Sequence, residues 1–428
     1  VAQQAASSSR QKIAVIGAGI SGLASAYLLN RKHDVCLFEA GDYLGGHSNT
    51  VDVSINGQSH PVDTGFLVLN DKTYPNLIAL LAELNVATYS TDMSFGVSMD
   101  DGQLEWAGTD LASVFAQQRN LWSPRFWGML KDILRFNKAA HANLARVGNS
   151  GETLGQLLDA GGYGQLFREG YLLPMAAAIW SSSPSDILRF PALTFLRFCI
   201  NHALLQVNDR PKWQTVQGGS RSYVQRIAAT LPDIRLNTPV LAVRRDVSGV
   251  RVLSASGESR FDAVVLAGHA PDTLSILEDA SPAEQKLLAA VRYQPNTAYL
   301  HLDERQLPQN KKVWSAWNYL GGAAVDGQRP VCVSYLLNQL QNLPFEHPVI
   351  VTLNPFKKPD LVIAQFEYQH PILDQAAIDA QLRLPQLQGR NRTWFAGAWT
   401  GYGFHEDGLK SALRVAADFD VLPAWAQL

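Results

Sequence analysis

Six residues, Gly17-Ala18-Gly19-Ile20-Ser21-Gly22, constrain this chain more than any others, because they fit G-x-G-x-x-G between a predicted strand and a predicted helix. The run KIAVI at residues 12–16 is short, apolar and β-branched, and it stops at the first glycine, as a buried strand does. Residues 20–29, rich in Ala and Leu, read as a helix, and DVCLFE at 34–39 reads as a second strand. Together they make a β–α–β unit of the size that a parallel crossover needs. Gly17 permits the tight turn, Gly19 lets main chain approach a pyrophosphate, and Gly22 lets helix and strand pack closely. The free N–H groups and dipole of the helix N-terminus favour phosphate charge there. Glu39 follows at the end of the second strand, about 20 residues on, where a carboxylate holds ribose hydroxyls and disfavours a 2′-phosphate. A merely structural turn needs no such register of strand, helix and acid, so the reading is a dinucleotide site.

The rest of the chain bounds that reading. With 36 basic and 38 acidic residues the net charge is −2, so no global field draws the protein to nucleic acid or anionic lipid. Cys36, Cys199 and Cys332 lie far apart, without metal spacing, and read as free thiols in a reducing compartment. HEDGL at 405–409 is not HExxH, since position 409 is Leu, so no metal site is expected. The opening VAQQAASSSR lacks the basic start and apolar stretch of a signal peptide. No apolar run approaches the ~18–20 residues that span a bilayer. The expectation is a cytoplasmic protein acting on a small-molecule or lipid substrate, with membrane contact at most peripheral and the oligomeric state open.

Two glycine segments refine the dinucleotide. Gly45 and Gly46, followed by His47, stand just beyond Glu39 and Ala40; flavoproteins use such a pair, whereas NAD dehydrogenases have no general need of it. Far downstream, FAGAWTGYGFHEDG at 395–408 reads as strand, glycine loop and helix start. With the Gly218–Gly219 turn and FDAVVLAG at 261–268, these segments resemble the flavin-containing amine oxidase and phytoene desaturase superfamily. The resemblance implies non-covalent FAD, because no cysteine lies near the C-terminal loop. It also implies an α/β fold: an FAD-binding Rossmann-like domain built on a discontinuous parallel sheet, with an inserted α+β substrate domain. The boundaries expected are 12–75, 212–275 and 390–428 for the first, and 76–211 and 276–389 for the second.

Carried onto this chain, the family's cofactor contacts fall on Gly17, Gly19, Ile20, Ser21, Gly22, Glu39, Ala40, Gly45, Gly46 and His47. They continue at Thr64, Gly65, Val240, Gly268, Gly397, Ala398, Gly403, Asp407 and Gly408. Val240 would meet the adenine through its backbone, and the helix from about Asp407 would point its N-terminus at the flavin pyrimidine. Two departures stand out: Tyr43 and His47 replace the arginines that flank the glycine pair in the family, and Ala398 follows Gly397 where the family has an acid. DTGFLVLN (63–70), NHALLQVNDRPKWQTVQGGSRSYV (201–224) and TGYGFHEDGL (400–409) resemble more closely the proteins similar to the N-terminal part of plant cyclopropane fatty acid synthases.

The chemistry expected is hydride transfer from a C–N or C–C bond of an apolar substrate, an amine or an acyl chain, to flavin. Tyr402, His405, Trp213 and Lys212 are the catalytic candidates, with Trp399, Phe404 and Glu406 beside them. Against each stands a plainer reading: core packing for the aromatics, a helix cap for Asp407, a satisfied structural histidine for His202. Residues 114–136 mix Trp122, Trp127 and Leu134 with Arg119, Arg125 and Lys131, which suits an interfacial helix or an ordinary amphipathic one. A non-redox flavin isomerase or mutase, a flavin-holding scaffold that presents lipid, and an NAD-only dehydrogenase are the competing functions.

Overall fold

A computed structural model describes residues 10–148, 150–180, 183–201, 204–205, 211–322 and 331–428. His202 lies outside the described residues. A five-stranded parallel sheet forms the base of the molecule, in the order Asp233–Arg235, Asp34–Phe38, Lys12–Ile16, Ala263–Leu266, Thr393–Phe395. Its strands come from three separate stretches of chain, as a discontinuous sheet requires. The period-two alternation of strand side chains, with both faces of the sheet covered, explains why residues 13–16 are apolar throughout. Ile13 and Val15 enter a core with Leu23, Tyr223 and Leu409, while Ala14 enters another with Phe38, Val264 and Trp399.

On the first face lie the helices Ile20–Leu29, Arg221–Ala228 and His405–Asp418. On the second lie an antiparallel sheet, Val240–Asp246, Gly249–Ser254 and Gly257–Phe261, and the helices Ala270–Ile276 and Pro282–Ala290. The helix Pro75–Glu83 inserts Leu77, Leu80 and Leu81 into the first core, and Gln375–Arg383 places Ala377 and Ala380 in the second. Both segments straddle or lie beyond the cut points expected from sequence, yet they pack on the dinucleotide unit.

The other half is a seven-stranded mixed sheet under a helical layer. Its order is Val362–Ile372, Arg292–His301, Ile350–Leu353, Val331–Leu336, Trp317–Gly321, Phe95–Met99, Leu104–Ala107. The helices Pro124–Val147, Leu173–Trp180 and Ala192–Asn201 bury Phe126, Phe136, Trp180, Phe195 and Phe198 in one aromatic core. No helix among the described residues is long and apolar enough to cross a membrane.

Candidate active site

The parallel sheet and both glycine turns open on one cavity of about 560 Å³. Gly19 caps the Ile20–Leu29 helix without any side-chain hydrogen bond, so the first N–H groups of that helix remain for a ligand. The second glycine segment closes on the first: the Gly45 N–H donates to the Ala18 carbonyl at 2.8 Å, and Gly19 and Gly45 form a parallel bridge. The Glu39 carboxylate accepts from the N–H of Ala18 at 2.8 Å and from that of Gly41 at 2.8 Å. The acid expected at the ribose therefore also pins the first glycine turn.

All the cofactor contacts expected from sequence line this cavity except Gly22, Asp407 and Gly408. A Cβ at Gly22 would lie 1.8 Å from the Gly17 carbonyl oxygen, so this glycine serves the crossing of helix and strand. A Cβ at Gly408 would lie 2.7 Å from Ile20 Cγ2 and 2.9 Å from Ser21 Oγ, which makes it the contact between the first and last helices. Asp407 accepts from the Phe404 N–H at 3.0 Å and so folds the loop back on the helix; burial pushes its carboxyl up to about 6. It meets the cap expectation, but from the first turn of the helix instead of the position before it.

Of the catalytic candidates, Tyr402, His405 and Trp213 line the cavity and Lys212 does not. Lys212 is exposed, and its main chain brackets Asp71, with the Lys212 N–H donating to Asp71 Oδ1 at 2.9 Å. Glu406, expected beside the chemistry, is turned away from it. Its carboxylate accepts from the N–H groups of Asn76 at 3.0 Å and Leu77 at 2.9 Å. It thereby caps the Pro75–Glu83 helix, whose own N-cap Tyr74 supplies no side-chain acceptor.

His405 is held on three sides. Its Nε2 lies 2.7 Å from the Tyr223 hydroxyl and 3.0 Å from Ser48 Oγ, and its ring stacks on Phe66 at 3.9 Å and 12°. Burial lowers its pKa to about 3, so the ring is neutral near neutral pH and orients neighbours without carrying charge. Ser48 and Tyr223 had no signal in the sequence, being single hydroxyls 175 positions apart.

Among the described residues the cavity lining contains no lysine and no arginine, and its only carboxylates are Glu39 and Asp272. Its titratable cations are histidines: His47, His269, His370 and His405. His47 stacks on Tyr368 at 4.8 Å and lies 5.3 Å from His370. Its Nε2 is buried with no hydrogen-bond partner, beside the Gly45–Gly46 turn. Burial holds His47 well below the ordinary imidazole range and His370 at about 4. Trp317 Nε1 and Trp399 Nε1 are also buried and unpartnered. Uncapped N–H groups, a carboxylate at the ribose position and orphaned ring donors fit a long, polar-ended dinucleotide.

Beyond the dinucleotide end the wall becomes aromatic and aliphatic. Trp180, Trp213, Trp317, Tyr335, Leu353 and Phe404 contribute, and Phe404 stacks on Phe198 at 5.2 Å. Trp180, Trp317, Tyr335, Tyr368 and His370 were not singled out from sequence. Tyr368 and His370 share one face of the Val362–Ile372 strand by period two, which is the one signal that marks them as a pair.

The family described as flavin containing amine oxidoreductase matches residues 20–320, more than half of the 428. The chain belongs to that family. It is an FAD-dependent oxidoreductase, and its cofactor is bound non-covalently; Cys36, Cys199 and Cys332 are free and buried, and none lines the cavity. Solved structures share the fold at low identity. A CLA-producing fatty acid isomerase from P. acnes superposes with TM-score 0.69 at 15% identity, over 96% of this chain and 99% of that one. Cyclohexylamine oxidase from Brevibacterium oxydans gives 0.65 at 16% identity, over 96% and 100%. Putrescine oxidase bound to putrescine gives 0.65 at 15%, over 96% and 99%. Comparison with curated proteins finds no match.

Proposed function

We propose that the substrate is an uncharged, apolar hydride donor, an acyl chain being the best fit. The observation that carries this is the charge of the wall. A diamine, whose second ammonium stays charged, would call for a carboxylate at the apolar end, and Glu39 and Asp272, the only ones lining the cavity among the described residues, stand with the dinucleotide segments. Apolar surface binds the chain and keeps water from the reacting carbon. Gly17, Gly19, Gly45, Gly46 and Glu39 would hold the diphosphate and ribose; Val240, at the start of a strand with a register shift between Val240 and Ala242, would meet the adenine. FAD, when bound, supplies the two-electron acceptor. Phe66, fixed by its stack on His405, and the pair Tyr402–Phe404, braced by Phe198, set the orientation of the donor C–H. His405 stays neutral and holds Ser48 and Tyr223 in place. The closer likeness of residues 63–70, 201–224 and 400–409 to relatives of plant cyclopropane fatty acid synthases, which rests on sequence alone, also favours an acyl chain.

A second reading keeps the acyl chain and removes net oxidation: isomerisation, the activity named for the P. acnes protein of the same fold. Anaerobic addition of a long-chain unsaturated acyl methyl ester separates the two. Stoichiometric bleaching of the visible flavin band supports oxidation. A rearranged product with the band intact supports isomerisation. No binding and no spectral change would contradict the acyl substrate.

A further inference from the structure

The helical layer carries a face that no part of the described chain covers. Trp122 is 87% exposed, Leu111 78%, Leu134 61%, Trp127 50% and Leu121 43%. Single exposed apolar residues are ordinary; a contiguous set is a docking signal. Trp127 is fixed in place, its Nε1 donating to the Leu121 carbonyl at 2.9 Å and its ring lying 5.4 Å from Phe115.

Basic residues outnumber acids around this set, where the acids are Asp110, which caps the Leu111–Val114 helix, and Asp132. Residues 111–138 contain Arg119, Arg125, Lys131, Arg135 and Lys138 against a single acid, Asp132. Asp132 is already committed, accepting from Arg135 and from the Gly164 N–H. Arg125, Lys131 and Lys138 are exposed. Along the Pro124–Val147 helix the positions Trp127, Lys131, Leu134 and Lys138 fall at i, i+4, i+7 and i+11, one stripe opposite the buried Phe126, Met129 and Phe136. The whole chain has net charge −2, so this positive field belongs to the face and not to the molecule.

We propose that this face seats the protein on an anionic lipid surface. Trp122, Trp127 and Leu134 enter the boundary between headgroups and acyl chains, and Lys131 and Lys138 stay at the level of the lipid phosphates. Indole rings are suited to that boundary, and interleaved cations are matched by anionic headgroups. The buried side of the same helix shares one core with Trp180, and Tyr402 and Phe404 pack against that core. The Pro124–Val147 helix packs on Ala192–Asn201, whose Phe198 meets Tyr402 and Phe404 at the apolar end of the cavity. The proposal rests on the surface alone, so it stands or falls independently of the substrate.

Co-sedimentation of the FAD-loaded full chain with sucrose-filled vesicles tests it, using phosphatidylcholine alone and phosphatidylcholine mixed with phosphatidylglycerol. Binding is expected to the mixed vesicles, weakening as salt is raised. Lys131→Glu with Lys138→Glu should weaken it by at least roughly tenfold, since each basic group near the surface contributes about fivefold. Trp122→Ser should lower binding to both vesicle types while the flavin spectrum and the thermal midpoint remain those of the parent. No sedimentation with either vesicle overturns the proposal. So does binding that ignores the Trp and Lys variants. A dimer in light scattering that Trp122→Ser dissociates, without vesicle binding, would assign the face to a second copy of the chain and overturn it equally.

Discussion

At its dinucleotide end the cavity is walled by main chain; at its other end it is walled by side chains. The first wall is made by Gly17–Gly19 and Gly45–Gly46, an uncapped helix N-terminus and the Glu39 carboxylate, all within residues 16–46. The second draws Trp180, Trp213, Trp317, Tyr335 and Leu353 from helix and strands spread over nearly half the chain. A wall of main chain tolerates almost no change where chain approaches chain. A wall of side chains can be altered one ring at a time. The two ends should therefore fail differently.

The largest effect is expected at the cradle. Gly22→Val places carbon where the Gly17 carbonyl already stands, and the purified protein should carry no flavin absorbance. Retention of full flavin by this variant would break the account of the dinucleotide end.

Acid should strike the lining next. His47, His370 and His405 in the cavity, and His301 in the large sheet, are all depressed by burial, to about 4 for His370 and His301 and about 3 for His405. A base whose folded pKa is depressed contributes stability present above its unfolded value and lost as pH falls toward the folded one. Asp407 has the opposite sign: raised to about 6, it favours the fold at low pH and loses that contribution as pH rises through 6. Asp63 and Glu406, also raised by burial, share its sign, so three acids stand against the four histidines. The thermal midpoint should fall as pH is lowered from 6.5 to 4, the histidines being the larger set. A flat profile in differential scanning fluorimetry would contradict the burial of these rings.

Under the dinucleotide end, Arg245 is buried against Glu284 at 2.6 Å and reaches Asp279 at 3.0 Å. Arg245→Ala leaves Glu284 buried and unpaired, which should cost about 3–5 kcal/mol in urea unfolding. Glu406→Ala removes the acceptor for the N–H groups of Asn76 and Leu77 and should cost about 1–3 kcal/mol. The smallest effect on the cofactor is expected at the other end. Trp213→Leu should leave flavin content unchanged while weakening apolar ligands, read as a raised Kd by flavin difference spectra.

That contrast also explains what was legible in the sequence. The main-chain wall needs glycines at fixed spacing, so GAGISG, Gly45–Gly46 and the loop at 397–403 were readable, and so was a parallel sheet assembled from distant strands. Lys212 and Glu406 misled because a residue's neighbours in sequence do not say which way its side chain turns. Lys212 faces solvent, and Glu406, one position from a lining residue, points to another helix. The substrate wall was mostly unread. Trp317 and Tyr335 lie on paired neighbouring strands, and only the tertiary pairing of Trp317 with Tyr335 brings their rings to the cavity. The lone hydroxyls of Ser48 and Tyr223 carry no pattern at all.

The central claim is that one cavity joins a polar cradle for FAD to a chargeless end for the donor. Flavin difference spectroscopy on the loaded enzyme measures this directly, by anaerobic titration with a long-chain unsaturated acyl methyl ester and, separately, with putrescine. The account predicts a saturable perturbation of the flavin band by the ester and none by putrescine at equal concentration. Saturable binding or bleaching by putrescine, with no response to the ester, would contradict it.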